Sequence, residues 1–250
     1  MRTDRIADME KYVLGKGSAS LEELCSNFGV SINTVRRDVL VLLQRGKIKK
    51  VYGGVSAIHQ GEPLPMSVRS GRNDKGKRII GELAATLIPD NTSVFLDSGS
   101  TTPQVLKHLS SKNITVITHS LAVLYEASRY PNLKVINLGG VYQPGTSSYV
   151  GMSTLENLLQ ISVQTVLIAA TGVSIKNGLT NTTFLEADIK RCITERATNI
   201  ILMADHTKFD HEAVISFCPF EKLSAVVTDC RPPEQYIAYM KEKGIKLLCP

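Results

Sequence analysis

Cysteine is scarce and scattered. Cys25, Cys192, Cys218, Cys230 and Cys249 are odd in number and include no C-x-x-C pair, so neither a disulfide framework nor a zinc site is indicated. The thiols are expected to be reduced, in the core or at the surface. No apolar run reaches the roughly 18 residues that a membrane span requires. The N-terminus also lacks the apolar stretch that follows the basic start of a secretory signal. A cytoplasmic protein is expected, with no metal and no cofactor. No internal repeat or low-complexity tract interrupts the 250 residues, and 43% hydrophobic content allows one large domain and one small one.

Acidic residues are in the minority: the formal net charge is +6. That favours a polyanionic partner or ligand, but only the distribution of charge can decide. Residues 1–58 hold ten Lys and Arg against six Asp and Glu, so this short segment carries most of the excess. Between 36 and 50 the density rises further, with Arg36, Arg37, Arg45, Lys47, Lys49 and Lys50 opposed by Asp38 alone.

Ile6, Met9, Val13 and Leu14 recur at helical spacing before Gly15 and Gly17 break the pattern. Ser20-Leu21-Glu22-Glu23 reads as a capping box, opening a short second helix that ends before Gly29. Ser31 can cap a third helix that runs to about Gln44 and stops at Gly46. Residues 47–52 then alternate basic and apolar like a two-faced strand, and Gly53-Gly54 ends it, which makes it a candidate wing. Residues 56–72 carry Gly61, Pro63, Pro65 and Gly71 without periodicity, as an interdomain linker does. The expected organisation is a DNA-binding domain over 1–57, a linker over 58–74 and a large α/β domain over 75–250. In the last, helices alternate with β-rich runs at 93–96, 115–118, 134–138, 165–170, 199–204, 225–228 and 246–248. Such alternation implies a mainly parallel sheet covered on both faces.

If Ser31 begins the third helix, Val35, Val39 and Leu42 form one buried stripe. Asn33 and Arg37 then lie across from it, placed to reach base edges in a major groove, Arg to guanine and Asn to adenine. Thr34 and Arg36 flank them and, with Lys47, Lys49 and Lys50 of the wing, would mainly grip phosphates. The plainer alternative is a small helical domain with a solvated basic face. The Phe28-Gly29-Val30 turn, the basic strand and the phase of the arginine pair favour DNA binding.

The run Ser31-Ile32-Asn33-Thr34-Val35-Arg36-Arg37-Asp38-Val39, followed by Leu42, Gly46-Lys47-Ile48 and Gly53-Gly54, resembles the winged-helix signature of the DeoR family of transcriptional regulators. The similarity extends through most of the chain. It implies a C-terminal domain resembling the ribose-phosphate isomerase and glucosamine-phosphate deaminase fold.

After the run 93–96, Asp97-Ser98-Gly99-Ser100-Thr101-Thr102-Pro103 leads into a helix, with Thr102 expected at its N-cap and Pro103 at its first position. Such a turn offers unpaired amides, glycine and hydroxyls, which suits a phosphate cradle but is also common as a plain connector. Thr118-His119-Ser120, Gly139-Gly140 and the run Asp205 to Lys208 follow later strands in the same way. Open α/β sheets collect ligands at the carboxyl ends of their strands, so one shared crevice is expected. In it the amides and Lys208 would hold a phosphate while Asp97 and Asp205 accept from sugar hydroxyls. Glu186 and Lys190 are four residues apart on a helix, and by spacing alone they read as an ordinary surface ion pair.

The family resemblance shifts that balance. The DeoR-type sensor pattern is matched by Arg69, Asn73, Lys77, Asp97, Gly99, Thr101 and Thr102, and by Gly139, Gly140, Gly151, Gly172 and Gly178. Glu186, Lys190, Asp205 and Lys208 complete it. The resemblance implies a crevice for sugar phosphates or related phosphorylated intermediates. Two positions depart from the pattern: His119 stands where members often have Asn, and Gln143 where an Arg often follows the glycine pair. His119 is either a hydroxyl partner or a packed histidine, and Arg69, Asn73 and Lys77 serve either the crevice or the domain junction. The expected function is a transcriptional repressor of a carbohydrate-metabolism operon, working as a dimer or tetramer controlled by a phosphorylated sugar. The rival from another class is a sugar-phosphate isomerase or deaminase-like enzyme fused to a DNA-binding module.

Overall fold

The computed structural model describes residues 2–57 and 65–250, and the chain divides after Arg72 into two units, Met1–Arg72 and Asn73–Pro250. In the first, α1 (Arg2–Lys16), α2 (Leu21–Phe28) and α3 (Ile32–Arg45) pack with the short strands β1 (Ser18–Ser20), β2 (Ile48–Val51) and β3 (Gly54–Ala57). Helix boundaries follow local chemistry. The Ser20 hydroxyl accepts the Glu23 amide at 3.0 Å, and Ser31 accepts that of Thr34 at 3.4 Å. Gly29 and Gly46 end α2 and α3 in the left-handed conformation. The three strands form an antiparallel sheet in the order β1-β3-β2, so β2 and β3 make a wing hairpin. Glycine is required beside its turn, because a Cβ on Gly54 would lie 2.2 Å from the Ala19 carbonyl oxygen. Ile6, Met9, Val13, Leu24, Val35 and Val39 are among the side chains that fill this unit's own core.

The stretch expected as a linker is not uniformly irregular. Residues 58–64 lie outside the described residues, while α4 (Met66–Gly71) is a helix within the first unit. Pro65 stands at its N-cap, where a proline starts a helix as readily as it breaks one.

The second unit opens with α5 (Asp74–Ala85) and is built on seven strands: β4 (Thr92–Leu96), β5 (Ile114–Thr118), β6 (Leu133–Asn137), β9 (Thr165–Ile168), β12 (Asn199–Met203), β14 (Ala225–Val227) and β15 (Lys246–Leu248). All neighbours in this sheet are parallel, in the order β15-β14-β12-β9-β4-β5-β6. The chain builds outward from β4 to β6, then returns to place β9 on the other side of β4. That reversal is a topological switch point. Period-two alternation buries both faces: Val94, Leu96, Val116, Leu167 and Ile201 join one core, while Phe95, Ile117, Val166, Ile168 and Leu202 join the other. Between these strands lie α6 (Leu121–Ala127), α7 (Met152–Leu159), α8 (Phe184–Arg196) and α9 (Glu234–Lys243).

Two smaller sheets complete the unit: the hairpin β7 (Val141–Gln143) with β8 (Ser148–Val150), and an antiparallel sheet of β10 (Gly172–Ser174), β11 (Gly178–Asn181) and β13 (Ile215–Cys218). With three or four residues each, these strands are too short to show a period. Among the described residues no helix is long and apolar enough to cross a membrane.

Candidate functional site

On α3 the stripe Val35, Val39 and Leu42 is buried, and Asn33, Arg36 and Arg37 are exposed on other faces. The helix is fixed to α1 through Asp38, itself buried, whose Oδ2 accepts from Arg5 Nε at 2.8 Å and lies 2.8 Å from Arg5 Nη2. Two exposed residues that charge-based reading missed lie on the same helix and in the wing. Leu40 is 61% exposed one turn beyond Arg36 and Arg37, and Tyr52 stands fully exposed at the turn between β2 and β3. Their signal was a large apolar residue at a solvent phase, which suits contact with a thymine methyl or a sugar face.

Not every expected phosphate contact is equally available. Ser31 and Thr34 share a 3.0 Å hydroxyl contact at the start of α3, so both serve the cap. Glu10 draws on two cations: its Oε1 is 2.9 Å from Lys47 Nζ, and its Oε2 accepts from Arg45 Nη1 at 2.6 Å. Burial pushes Glu10 up, but Lys47 and Arg45 outweigh it and hold the carboxyl below its ordinary value. Lys47 thus divides its charge with Glu10, whereas Lys50 is exposed on β2.

In the second unit the carboxyl ends of the parallel strands share one edge of the sheet. Asp97 directly follows β4 and His119 directly follows the neighbouring β5, both fully buried. Asp97 Oδ2 accepts the Ala169 amide at 3.0 Å and forms a close ion pair with Lys190, whose Nζ also donates to the Ala169 carbonyl at 2.8 Å. This clasp ties β4 to the end of β9 at the switch point, and α8 supplies the cation. Glu186, one turn earlier on α8, accepts from Ser98 Oγ at 2.9 Å and Ser148 Oγ at 3.2 Å through Oε1, and from Asn181 Nδ2 at 3.3 Å through Oε2.

The surface ion pair suggested by spacing is therefore corrected. Glu186 and Lys190 are both buried, and each is drawn to partners that approach from distant strands. Ser148, Asn181 and Ala169 are the residues that sequence reasoning missed here, because short strands and loops gave no signal of where they lead.

The loop from Ser98 to Thr101 is the cradle candidate. Among the described residues its four amides take part in no hydrogen bond. Gly99 is needed for close approach, since a Cβ there would meet that of Ala169 at 2.6 Å. Thr102 differs from expectation: Thr101 holds the N-cap of the 3₁₀ helix Thr102–Leu109, and the buried Thr102 hydroxyl donates to the Asp97 carbonyl at 2.6 Å. It shapes the loop from within. Ser120 likewise caps α6, accepting the Val123 amide at 3.3 Å. Ser100 remains half-exposed.

Gly139 and Gly140 follow β6, where Thr154 Oγ1 donates to the Gly139 carbonyl at 2.7 Å. Asp205 follows β12 and caps a 3₁₀ turn, His206–Lys208, by accepting the Thr207 amide at 2.9 Å. Asn73 Nδ2 donates to Asp229 Oδ2 at 2.8 Å, and the same carboxylate accepts from the His206 amide at 2.7 Å.

Burial pushes Asp97 up, but Lys190, His119 and the Ala169 amide together hold it below its ordinary 3.8. Burial also holds His119 below its ordinary 6.5, against the pull of Asp97 and Glu186. Both shifts make the fold acid-sensitive. The unfolded chain protonates His119 below 6.5 while the folded one resists, so stability falls as pH drops through that value. The stability that ionised Asp97 contributes is present above 3.8 and is lost as pH falls through its lower folded value. Unfolding free energies from urea titrations, measured from about pH 7.5 downward, should decline with a slope approaching ~1.4 kcal/mol per pH unit below the histidine value. A profile that stays flat to about pH 5, or a His119→Phe variant with an unchanged profile, would contradict this assignment.

A winged helix with a solvent-facing Asn and Arg pair, joined in one chain to a switch-point α/β sheet whose first loop has unengaged amides, defines a DNA-binding transcriptional regulator with a sensor domain. Comparison with known proteins makes the assignment specific. A profile described as "DeoR-like helix-turn-helix domain" matches residues 5–61, and one described as "DeoR C terminal sensor domain" matches residues 72–230. The chain belongs to the DeoR family.

It is 39% identical to the HTH-type transcriptional regulator IolR of Bacillus subtilis, over 98% of both chains. It is 27% identical to the glycerol-3-phosphate regulon repressor of Escherichia coli, over 99% of both, and 27% identical to the transcriptional repressor GlcR of B. subtilis, over 98% of this chain and 95% of that one. Among solved structures it is similar to ribose 5-phosphate isomerase A from Neisseria gonorrhoeae, at 18% identity and a TM-score of 0.40, over 53% of this chain and 52% of that one. The curated relatives are named regulators and repressors, and this chain is a regulator rather than an enzyme.

Proposed function

We propose that the protein is a cytoplasmic repressor whose second unit binds a phosphorylated sugar or related intermediate, and that this ligand lowers its affinity for operator DNA. Residues 1–57 recognise the operator, with Asn33 and Arg37 at base edges and Thr34, Arg36, Lys47, Lys49 and Lys50 at phosphates. A symmetric dimer or tetramer places two such helices on half-sites.

The observation that carries the sensor reading is the loop from Ser98 to Thr101, whose amides are unengaged beside the buried Asp97–Lys190 pair at the sheet's switch point. Amides and hydroxyls suit a phosphate, with Lys208, in the turn after β12, as the cation expected to join them, while Asp97, Asp205 and Glu186 suit hydroxyl groups. A ligand that favours the non-binding geometry by about 1–3 kcal/mol weakens operator binding roughly 5- to 150-fold, and DNA weakens the ligand by the same factor. Operator titration by fluorescence anisotropy, with and without a panel of sugar and polyol phosphates, tests this. A titration curve unmoved by every compound would leave a DNA-binding protein with an inert second unit.

A further inference from the structure

His119 is fully buried at the end of β5, its ring stacked on Phe95 with centroids 5.7 Å apart and planes at 19°. Among the described residues neither of its ring nitrogens has a hydrogen-bond partner, and neither does Asp97 Oδ1. Buried polar atoms are almost always satisfied, so three orphans on two adjacent side chains call for an occupant.

The geometry says which kind. His119 Nε2 and Asp97 Oδ1 are 4.0 Å apart, too far for a bond to each other. One oxygen at the usual ~2.8 Å from both would subtend an angle of roughly 90°, which an sp³ oxygen accommodates. That oxygen must donate to a carboxylate that only accepts, and it can accept from an imidazole N–H on its other side. A carbonyl oxygen or a fully ionised phosphate has no proton to give Asp97. An ammonium would lack the lone pair for the imidazole N–H. A hydroxyl meets both demands, and so does a water molecule, whose place an effector hydroxyl would take on binding.

We infer that His119 and Asp97 form a hydroxyl-reading subsite: one alcohol group of the effector donates to Asp97 Oδ1 and accepts from His119 Nε2, making His119 a specificity-determining residue. The inference rests on the sensor reading above and narrows it to a phosphate ester with a hydroxylated carbon within reach of β4 and β5. Phe95 keeps the imidazole plane fixed, and the Lys190 clasp keeps Asp97 ionised and in place.

The test uses the full-length chain, as wild type, His119→Phe and His119→Asn. Phenylalanine preserves the stack on Phe95 and removes both orphaned nitrogens, so the ligand-free variant should melt at or above the wild-type temperature. If both variants melt several degrees lower, His119 is a structural histidine and the proposal is overturned.

Thermal shift and calorimetry then compare inorganic phosphate, ribose 5-phosphate, glucose 6-phosphate and their 2-deoxy counterparts. Inorganic phosphate, which has no alcohol group to offer the subsite, should bind wild type and His119→Phe alike. An ester that uses the subsite should bind wild type at least ~10-fold tighter than its deoxy analogue, with that ratio falling below about threefold in His119→Phe. Retention of the full ratio in His119→Phe would overturn the subsite while leaving the sensor reading intact. If neither phosphate nor any ester binds wild type, the sensor reading itself fails and the subsite with it.

Discussion

Replacing Lys190 with methionine is expected to destabilise the second unit by about 3–5 kcal/mol, the cost of leaving a buried carboxylate without its cation. Asp97 is fully buried; among the described residues its Oδ1 has no hydrogen-bond partner, and of the groups around Oδ2 only Lys190 brings a full positive charge. Methionine matches the length of the lysine stem and can still pack against Phe217, whose ring centre lies 5.4 Å from the ammonium. The loss would therefore be electrostatic rather than steric. The double variant Asp97→Leu with Lys190→Met should recover much of that stability, because removing both charges also removes the burden of burying them. Urea denaturation of the two variants checks the assignment. A loss below about 1 kcal/mol for Lys190→Met would mean that water reaches Asp97 and that the clasp is not closed in solution.

The second large effect concerns DNA. Arg37→Ala should weaken operator binding by about 1–3 kcal/mol and relax the choice of base at one position, while random DNA loses less. Lys50→Ala should weaken both alike and reduce the slope of log affinity against log salt by about one. The contrast follows from position: Arg37 rises from the solvent face of α3, while Lys50 rises from the wing. Anisotropy titrations on operator and scrambled duplexes over a salt series separate the two roles. Equal loss on both duplexes from Arg37→Ala would remove it from the base-reading surface.

Much of the scaffold could be read from local chemistry. Ser20, Ser31, Gly29 and Gly46 mark helix ends because capping involves neighbours three or four residues away. The seven strands of the parallel sheet announced themselves through β-branched runs, and the phase of Val35, Val39 and Leu42 placed Asn33 and Arg37 outside. The sensor unit was less legible for a matching reason: its defining bonds are long-range. Lys190 meets Asp97 across 93 positions and Glu186 meets Ser98 across 88, so the four-residue spacing of Glu186 and Lys190 pointed to the wrong partners. Here the family resemblance, not the spacing, directed attention to these residues. The hydroxyls of Thr102 and Ser120 looked equivalent to their neighbours in sequence, yet each turns inward to hold its own loop or helix.

Because β4 finds its second neighbour only when β9 arrives, and the Ala169 amide reaches Asp97 from 72 residues downstream, the clasp around Asp97 does not exist while the first half of the domain is emerging from the ribosome. If the proposed effector binds at this clasp, it can lend the nascent chain no stability until that late strand has docked. Fragments ending before it should be blind to the small molecule, whatever share of the loop they contain.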